Sequence, residues 1–283
     1  MDRPGYDMRV ALLDFNNGYP NQGMDNIHAV VQRYAVEKDL RLDIHVFDVR
    51  QRHEVPDLSY DVYLSSGGPG SPLDESETVA EARYFKLIAD LVAHNNVALP
   101  TERKFVFFIC HAFQLACKYF GVGTLCRRKS AAFGTFPIHK TLVGKSEDIF
   151  SALPDPFYAI DSREWQVVAA DVAHLRALGM AVLAIEKERP HVPLERAVMA
   201  VRFSPEMIGT QFHPEADAER MRTHLLAAER KQQLVEQHGV AKYNDMLQCL
   251  SDPMKIALTH RTMLPAFLDG ARWAYSERRD VVV

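Results

Sequence analysis

The sequence predicts an α/β fold: a mostly parallel sheet covered by helices, followed by a helical C-terminal extension. Two observations carry that prediction. Short apolar runs rich in β-branched and aromatic residues alternate with longer segments of helical period, and strand signals stop at Ala216 while helical periodicity continues beyond it. The expected division is 1–216 for the α/β domain and 217–283 for the helical extension.

Strands are expected at Arg9 to Phe15, Leu42 to Val49, Asp61 to Ser65 and Lys104 to Ile109, with helices at Met24 to Lys38, Ser76 to His94 and His111 to Phe120. These strand runs are short and continuous, as in strands buried on both faces. The loop from Asn16 to Asn26, NNGYPNQGMDN, leaves the first strand. It can line a site at that sheet edge or cap the first helix through Asp25. Beyond Lys129 the runs Phe157 to Ile160, Gln166 to Asp171, Ala181 to Glu186 and Ala197 to Phe203 read as hairpins of a mixed extension.

The extension reads as three or four helices, with periodic apolar residues such as Met221, Leu225, Leu226, Leu234 and Val235. Gly239 is expected to break it, Ser251-Asp252-Pro253 to cap a new helix and Pro265 to open the last one. Met246, Leu247, Leu250, Ile256, Leu258, Phe267, Leu268 and Trp273 need cover from water. The extension is either a lid or acceptor-binding element over the GGPGSP loop and Cys110, or a remote face for partner docking or a second copy of the chain; the remote face is the expectation.

The chain of 283 residues carries a formal charge of −4 and a pI of about 6.3, and its longest run of like charge is Arg127-Arg128-Lys129. This argues against nucleic acid as a direct ligand. No apolar stretch approaches the roughly 20 residues that span a bilayer, and Met1 to Asp7 lack the apolar segment of a signal peptide, so a cytoplasmic location is expected. Cys110, Cys117, Cys126 and Cys249 form no C-x-x-C pair and no zinc-binding spacing. Free thiols follow, and burial as small hydrophobes is the ordinary role for all but the first.

Three segments point to chemistry. In TERKFVFFICHAFQLACKYFG, from Thr101, an apolar strand runs into Cys110 and a helix pattern follows at once. A thiol at such a turn stands above the sheet at the positive end of a helix dipole, both of which favour the thiolate. In SSGGPGSP, from Ser65, a strand ends in a Gly-Pro turn whose N–H groups, including those of Gly68 and Gly70, can cradle an oxyanion. It lacks the Gly-Lys-Ser/Thr ending of a phosphate loop. In IGTQFHPE, from Ile208, His213 and Glu215 lie two apart on an extended segment, so both face one way and the carboxylate can orient a base. Singly, each segment has an ordinary structural explanation: a packed cysteine, a tight turn, a surface turn.

Their order and spacing resemble the class I glutamine amidotransferase family: a GGPGSP loop, a nucleophile elbow about 40 residues on, and QFHPE about 100 residues after that. The resemblance spans Met8 to Glu215. It implies a flavodoxin-like three-layer sandwich, with Cys110 as nucleophile, His213 as base and Glu215 as orienter. It also implies Gln114 as a substrate contact, and Gly68 and His111 as oxyanion N–H donors. The implied reaction is hydrolysis of the amide of glutamine or a γ-glutamyl compound through a thioester, without metal or organic cofactor.

The sequence departs from that family at the elbow, which usually reads Gly-x-Cys-Leu-Gly-His-Gln and here reads Phe108-Ile109-Cys110-His111-Ala112-Phe113-Gln114. Phe108 in place of glycine is expected to reshape the pocket around the thiol. Ser162-Arg163-Glu164-Trp165 stands where the family often has a His-Ser-Asp-type segment, and Arg163 is a candidate to pair with a substrate carboxylate. His111 after Cys110 also resembles the PfpI-type hydrolases, although the end of the first strand, Asp14 to Gly18, lacks their acid and QFHPE has no counterpart there. A non-catalytic binding protein on the same fold is the third reading. No synthetase signature is apparent, so an acceptor of ammonia is expected to be a separate synthetase subunit or absent.

Overall fold

A computed structural model describes residues 5–19, 22–73, 78–190 and 192–280 of the chain. The expected helix start at Ser76, and parts of the Asn16 to Asn26 loop and of the Met1 to Asp7 segment, lie outside them. The strands are β1 (Met8–Asp14), β2 (Leu42–Asp48), β3 (Val62–Ser65), β4 (Phe105–Ile109), β5 (Thr124–Lys140), β6 (Phe157–Val168), β7 (Ala181–Glu186), β8 (Val198–Ser204) and β9 (Met207–Thr210). The helices are α1 (Gln22–Glu37), α2 (Val79–Val97), α3 (His111–Phe120), α4 (Val172–Ala177), α5 (Ala218–Leu226), α6 (Ala228–His238), α7 (Val240–Ser251) and α8 (Ile256–Asp280).

All nine strands form one sheet in the order β2-β1-β3-β4-β9-β8-β7-β5-β6. The half from β2 to β9 is parallel and the remainder antiparallel. The fold is thus the expected α/β sandwich with a mixed extension. Alternation along β1 sends Met8, Val10 and Leu12 into a core shared with α1 and α8, and Ala11 and Leu13 into one shared with α2 and α3. β2 is an edge strand with His45 and Val46 exposed, not the doubly buried strand its apolar run suggests.

Helix starts follow local chemistry. Thr78 accepts the N–H of Glu81 at 3.2 Å to cap α2, Asp171 accepts that of His174 at 3.0 Å for α4, and Asp217 accepts that of Arg220 at 2.8 Å for α5. Asp25 lies inside the first turn of α1 and does not cap it. Pro265 sits within α8 and does not open it. The start is upstream, where Asp252 accepts the N–H of Met254 at 2.9 Å. Leu258 before Pro265, and Phe267 and Leu268 after it, are buried in the main core, and this packing carries the helix across the missing hydrogen bond.

β5, which spans 17 residues and contains Pro137, lacks a counterpart in the sequence reading, and of the extended segment expected from Ile208 only the start belongs to a strand, β9. β6 is continuous where two separate runs are expected. The extension splits into four helices, with Gly239 at a φ of 83° between α6 and α7. No helix among the described residues is long and apolar enough to cross a membrane.

Candidate active site

β4 ends at Ile109 and leads into Cys110, whose φ of 51° and ψ of −100° are unusual for a residue with a side chain. The turn is pinned at both ends: Cys110 N–H donates to Thr210 O of β9 at 2.8 Å, and Gln114 N–H donates to Cys110 O at 3.0 Å to start α3. The strained residue therefore stands at the N-terminus of α3, the positive end of that helix's dipole.

His213 follows β9, and its N–H donates to Ile160 O of β6 at 2.9 Å. Its Nδ1 lies 2.8 Å from Glu215 Oε1, which leaves Nε2 for the thiol. Burial opposes a charge on His213. The negative charges of Glu215 and Cys110, with a hydrogen bond to each, nonetheless hold its pKa well above the usual histidine value.

Glu215 is itself buried and held from behind by α8. His260 Nδ1 lies 3.0 Å from Glu215 O, and Arg33 of α1 lies 3.2 Å from His260 Nε2. Because the guanidinium can only donate, Nε2 is the acceptor and Nδ1 carries the proton given to Glu215 O. Burial, then the charge of Arg33, lowers the His260 pKa and favours that neutral ring.

The Gly-Pro loop packs directly on this pair. A Cβ on Gly67 would stand 2.8 Å from His213 Cε1 and 3.2 Å from Cys110 Cβ, and one on Gly68 would stand 2.1 Å from Phe15 O. Only hydrogen at these positions allows the approach. Arg50 bridges the loop to β1, donating to Phe15 O at 3.1 Å and Pro69 O at 2.6 Å.

A cavity of about 670 Å³ opens above the thiol. Its inner end is lined by Gly68, Gly70, Cys110, Gln114, Ser162 and Arg163. Asn16 to Tyr19, for which lining the site is one of two expected roles, do not border it. The Gln114 amide nitrogen donates to Trp165 O at 3.2 Å and to Gln211 Oε1 at 3.0 Å, and Gln211 in turn approaches Cys110 Sγ at 3.8 Å. Gln211, first residue of QFHPE, and Gly67 carry contacts for which sequence reasoning assigned no role.

Arg163 borders the cavity but is neither a solvated arginine nor a free carboxylate binder. Its Nε donates to Asp161 at 2.9 Å and its Nη2 stands 3.5 Å from Glu186. Both partners are buried, so the guanidinium is committed within the fold. The His111 ring is buried near Phe15, with centroids 6.0 Å apart.

Phe108 does not reshape the pocket. Its side chain points to the opposite core from Cys110, packs edge-on to Phe203 at 5.6 Å and pairs in register with Gly209 of β9. A Cβ on Gly209 would meet Phe113 Cδ2 at 2.8 Å and Phe108 Cβ at 3.0 Å. The volume added at Phe108 and Phe113 is accommodated by the glycine next door.

The extension is not confined to a remote face. α8 packs under the sheet, but α6 supplies Arg230, Leu234, Gln237 and His238 to the outer wall of the cavity, opposite Arg127, Phe133, Glu164 and Trp165.

Residues 23–232 match the model of the Glutamine amidotransferase class-I family. The chain belongs to that family. Its fold is similar to a glutamine amidotransferase from Thermotoga maritima (15% identity, TM-score 0.65, 94% of this chain and 99% of that one). It is also similar to a protein from Thermoplasma acidophilum described as a putative GMP synthase subunit (14%, 0.53, 97% and 96%). A third similar structure is the glutaminase domain of Trypanosoma brucei CTPS with bound acivicin (14%, 0.56, 93% and 94%). No curated protein matches the sequence at a significant level. At these identities the likeness to the solved structures is one of fold.

Proposed function

We propose that this class I glutamine amidotransferase hydrolyses the side-chain amide of glutamine or of a γ-glutamyl compound through a thioester on Cys110. The observation that carries the reading is the convergence of a strained thiol at a helix N-terminus with an imidazole held at 2.8 Å by a buried carboxylate. In this mechanism the Cys110 sulfur attacks the γ-carbonyl carbon, and the C–N bond breaks with its electron pair passing to nitrogen. His213 hands that nitrogen a proton. His213 then deprotonates water, which attacks the thioester, releases glutamate and restores the thiol. N–H groups of Gly68, Gly70 and His111 are the proposed donors to the oxyanion.

The raised pKa of His213 suits an imidazolium paired with a thiolate, in which the ring first acts as acid. Phe108 is buried away from the thiol, which supports the catalytic reading over a non-catalytic one. Ammonia released here would pass to a separate synthetase. The names of two similar structures, a CTPS glutaminase domain and a putative GMP synthase subunit, support that extension. Glutamate release from glutamine by wild type and by Cys110→Ala tests the reading: activity in the wild type and its loss in a folded variant are expected. Full activity in the variant would overturn the mechanism.

A further inference from the structure

We infer that the outer half of the cavity is a subsite for the amine portion of a γ-glutamyl amide, and that this portion carries a carboxylate beside an aromatic ring. A γ-glutamyl peptide with an aromatic second residue has that chemistry. The inference rests on the amide-hydrolase reading of Cys110.

The first observation is size. The cavity measures about 670 Å³, a volume typical of sites for drug-sized ligands, and free glutamine is far smaller. If the glutamyl group lies at the inner end with its γ-carbonyl at Cys110, the amine portion must point outward between β5, β6 and α6.

The second is charge. Arg127 is answered by Glu164 at 2.9 Å and Arg163 by Asp161 at 2.9 Å. Among the described residues Arg230 makes one hydrogen bond, to Gln233 Oε1 at 3.3 Å, and stands over the face of Phe133, 5.5 Å from its centroid. Its Nε is buried without a hydrogen-bond partner among the described residues. No carboxylate among the described residues answers this guanidinium in the cavity wall, and its terminal N–H groups fit one supplied by a ligand.

The third is shape. Phe133 and His238 stack with centroids 5.7 Å apart and planes 13° apart, and Trp165 lines the same cavity. Flat faces beside a cation favour an anion attached to an aromatic group.

Cleavage would break the C–N bond of the γ-glutamyl amide. The aromatic amino acid would leave as an amine carrying a proton from His213, and water would then free glutamate from Cys110. The subsite therefore acts on the first half-reaction alone.

The test compares kcat/KM for glutamine, γ-glutamyl-glycine and γ-glutamyl-phenylalanine in the wild type and in Arg230→Gln. A point substitution is used because the extension cannot be deleted cleanly: α8 belongs to the main core. The expected result is a preference for the phenylalanine peptide over the glycine peptide of about tenfold or more, and an approximately tenfold fall in the ratio of phenylalanine peptide to glutamine in the variant. If glutamine is hydrolysed but the two peptides are equivalent, or the ratio survives Arg230→Gln, the subsite is overturned and the hydrolase reading stands. If no donor is cleaved, both fall together.

Discussion

Gly67→Ala puts a single methyl group between the thiol and the imidazole, and the structure sets the size of the effect. The Gly67 backbone lies outside the left-handed region, so alanine is admissible there, but its Cβ would stand 2.8 Å from His213 Cε1. Carbon atoms rest at about 3.5–4.0 Å, so the ring must retreat by roughly 0.7–1.2 Å. It cannot do so freely. Nδ1 is held at 2.8 Å by Glu215, the backbone N–H at 2.9 Å by Ile160, and Glu215 is backed by His260. Misplacement of a catalytic group by about 1 Å costs on the order of 10²-fold in rate, or about 2.7 kcal/mol of transition-state stabilisation. Overpacking is expected to cost about 1–3 kcal/mol of stability, so thermal unfolding is measured alongside glutaminase kcat/KM. A folded Gly67→Ala protein within threefold of wild type would refute the proposed alignment.

Three further outcomes are expected. Gly209→Ala should lose about 1–3 kcal/mol in urea unfolding through its clash with Phe113 and Phe108, and Phe113→Ala, which removes the Cδ2 at 2.8 Å, should relieve part of that loss. Strict additivity of the two changes would contradict the packing. Gly270→Ala, where a Cβ meets nothing within 4 Å on α8, should add roughly 0.5–1 kcal/mol and raise the denaturation midpoint. The His213 ring should titrate in NMR well above the unfolded value of about 6.5. The stability it contributes is therefore full below that value and is lost as pH rises through the raised pKa. Glu215→Gln should move the midpoint down and narrow the window, and a wild-type midpoint at or below 6.5 would contradict the pairing.

β1, β3 and β4 were legible because each is a run apolar on both faces that is followed by a glycine turn or a helix start. The turn at Cys110 and the extended segment carrying His213 and Glu215 were legible from their own neighbours in sequence. β5 was not, since TLCRRKSAAFGTFPIHK shows neither a continuous apolar run nor clean alternation, and Pro137 argues against a strand. Its extended shape comes from pairing with β6 and β7, a tertiary cause. The approach of Arg163 to Glu186, and the arrival of α6 over the cavity, likewise depend on contacts between separate segments of the chain. Phe108 misled because its partner Gly209 lies on a strand about 100 positions away.

The pairing of β5 with β6 bears on which changes of chain length the protein can absorb. Between the register pairs Arg127↔Trp165 and Ala132↔Arg163, four residues of β5 face the single residue Glu164. One more residue between Lys129 and Ser130 would enlarge a bulge that already interrupts the ladder. On β6 the same event would be ruinous. Ile160 O receives the His213 N–H at 2.9 Å, and Ser162 O faces the Cys110 thiol at 3.8 Å, two residues along the same strand edge. An insertion between Ile160 and Ser162 would turn one of those carbonyls away. Descendants of this sequence that vary in length should therefore vary at the bulge of β5 and keep the count from Ile160 to Trp165 fixed.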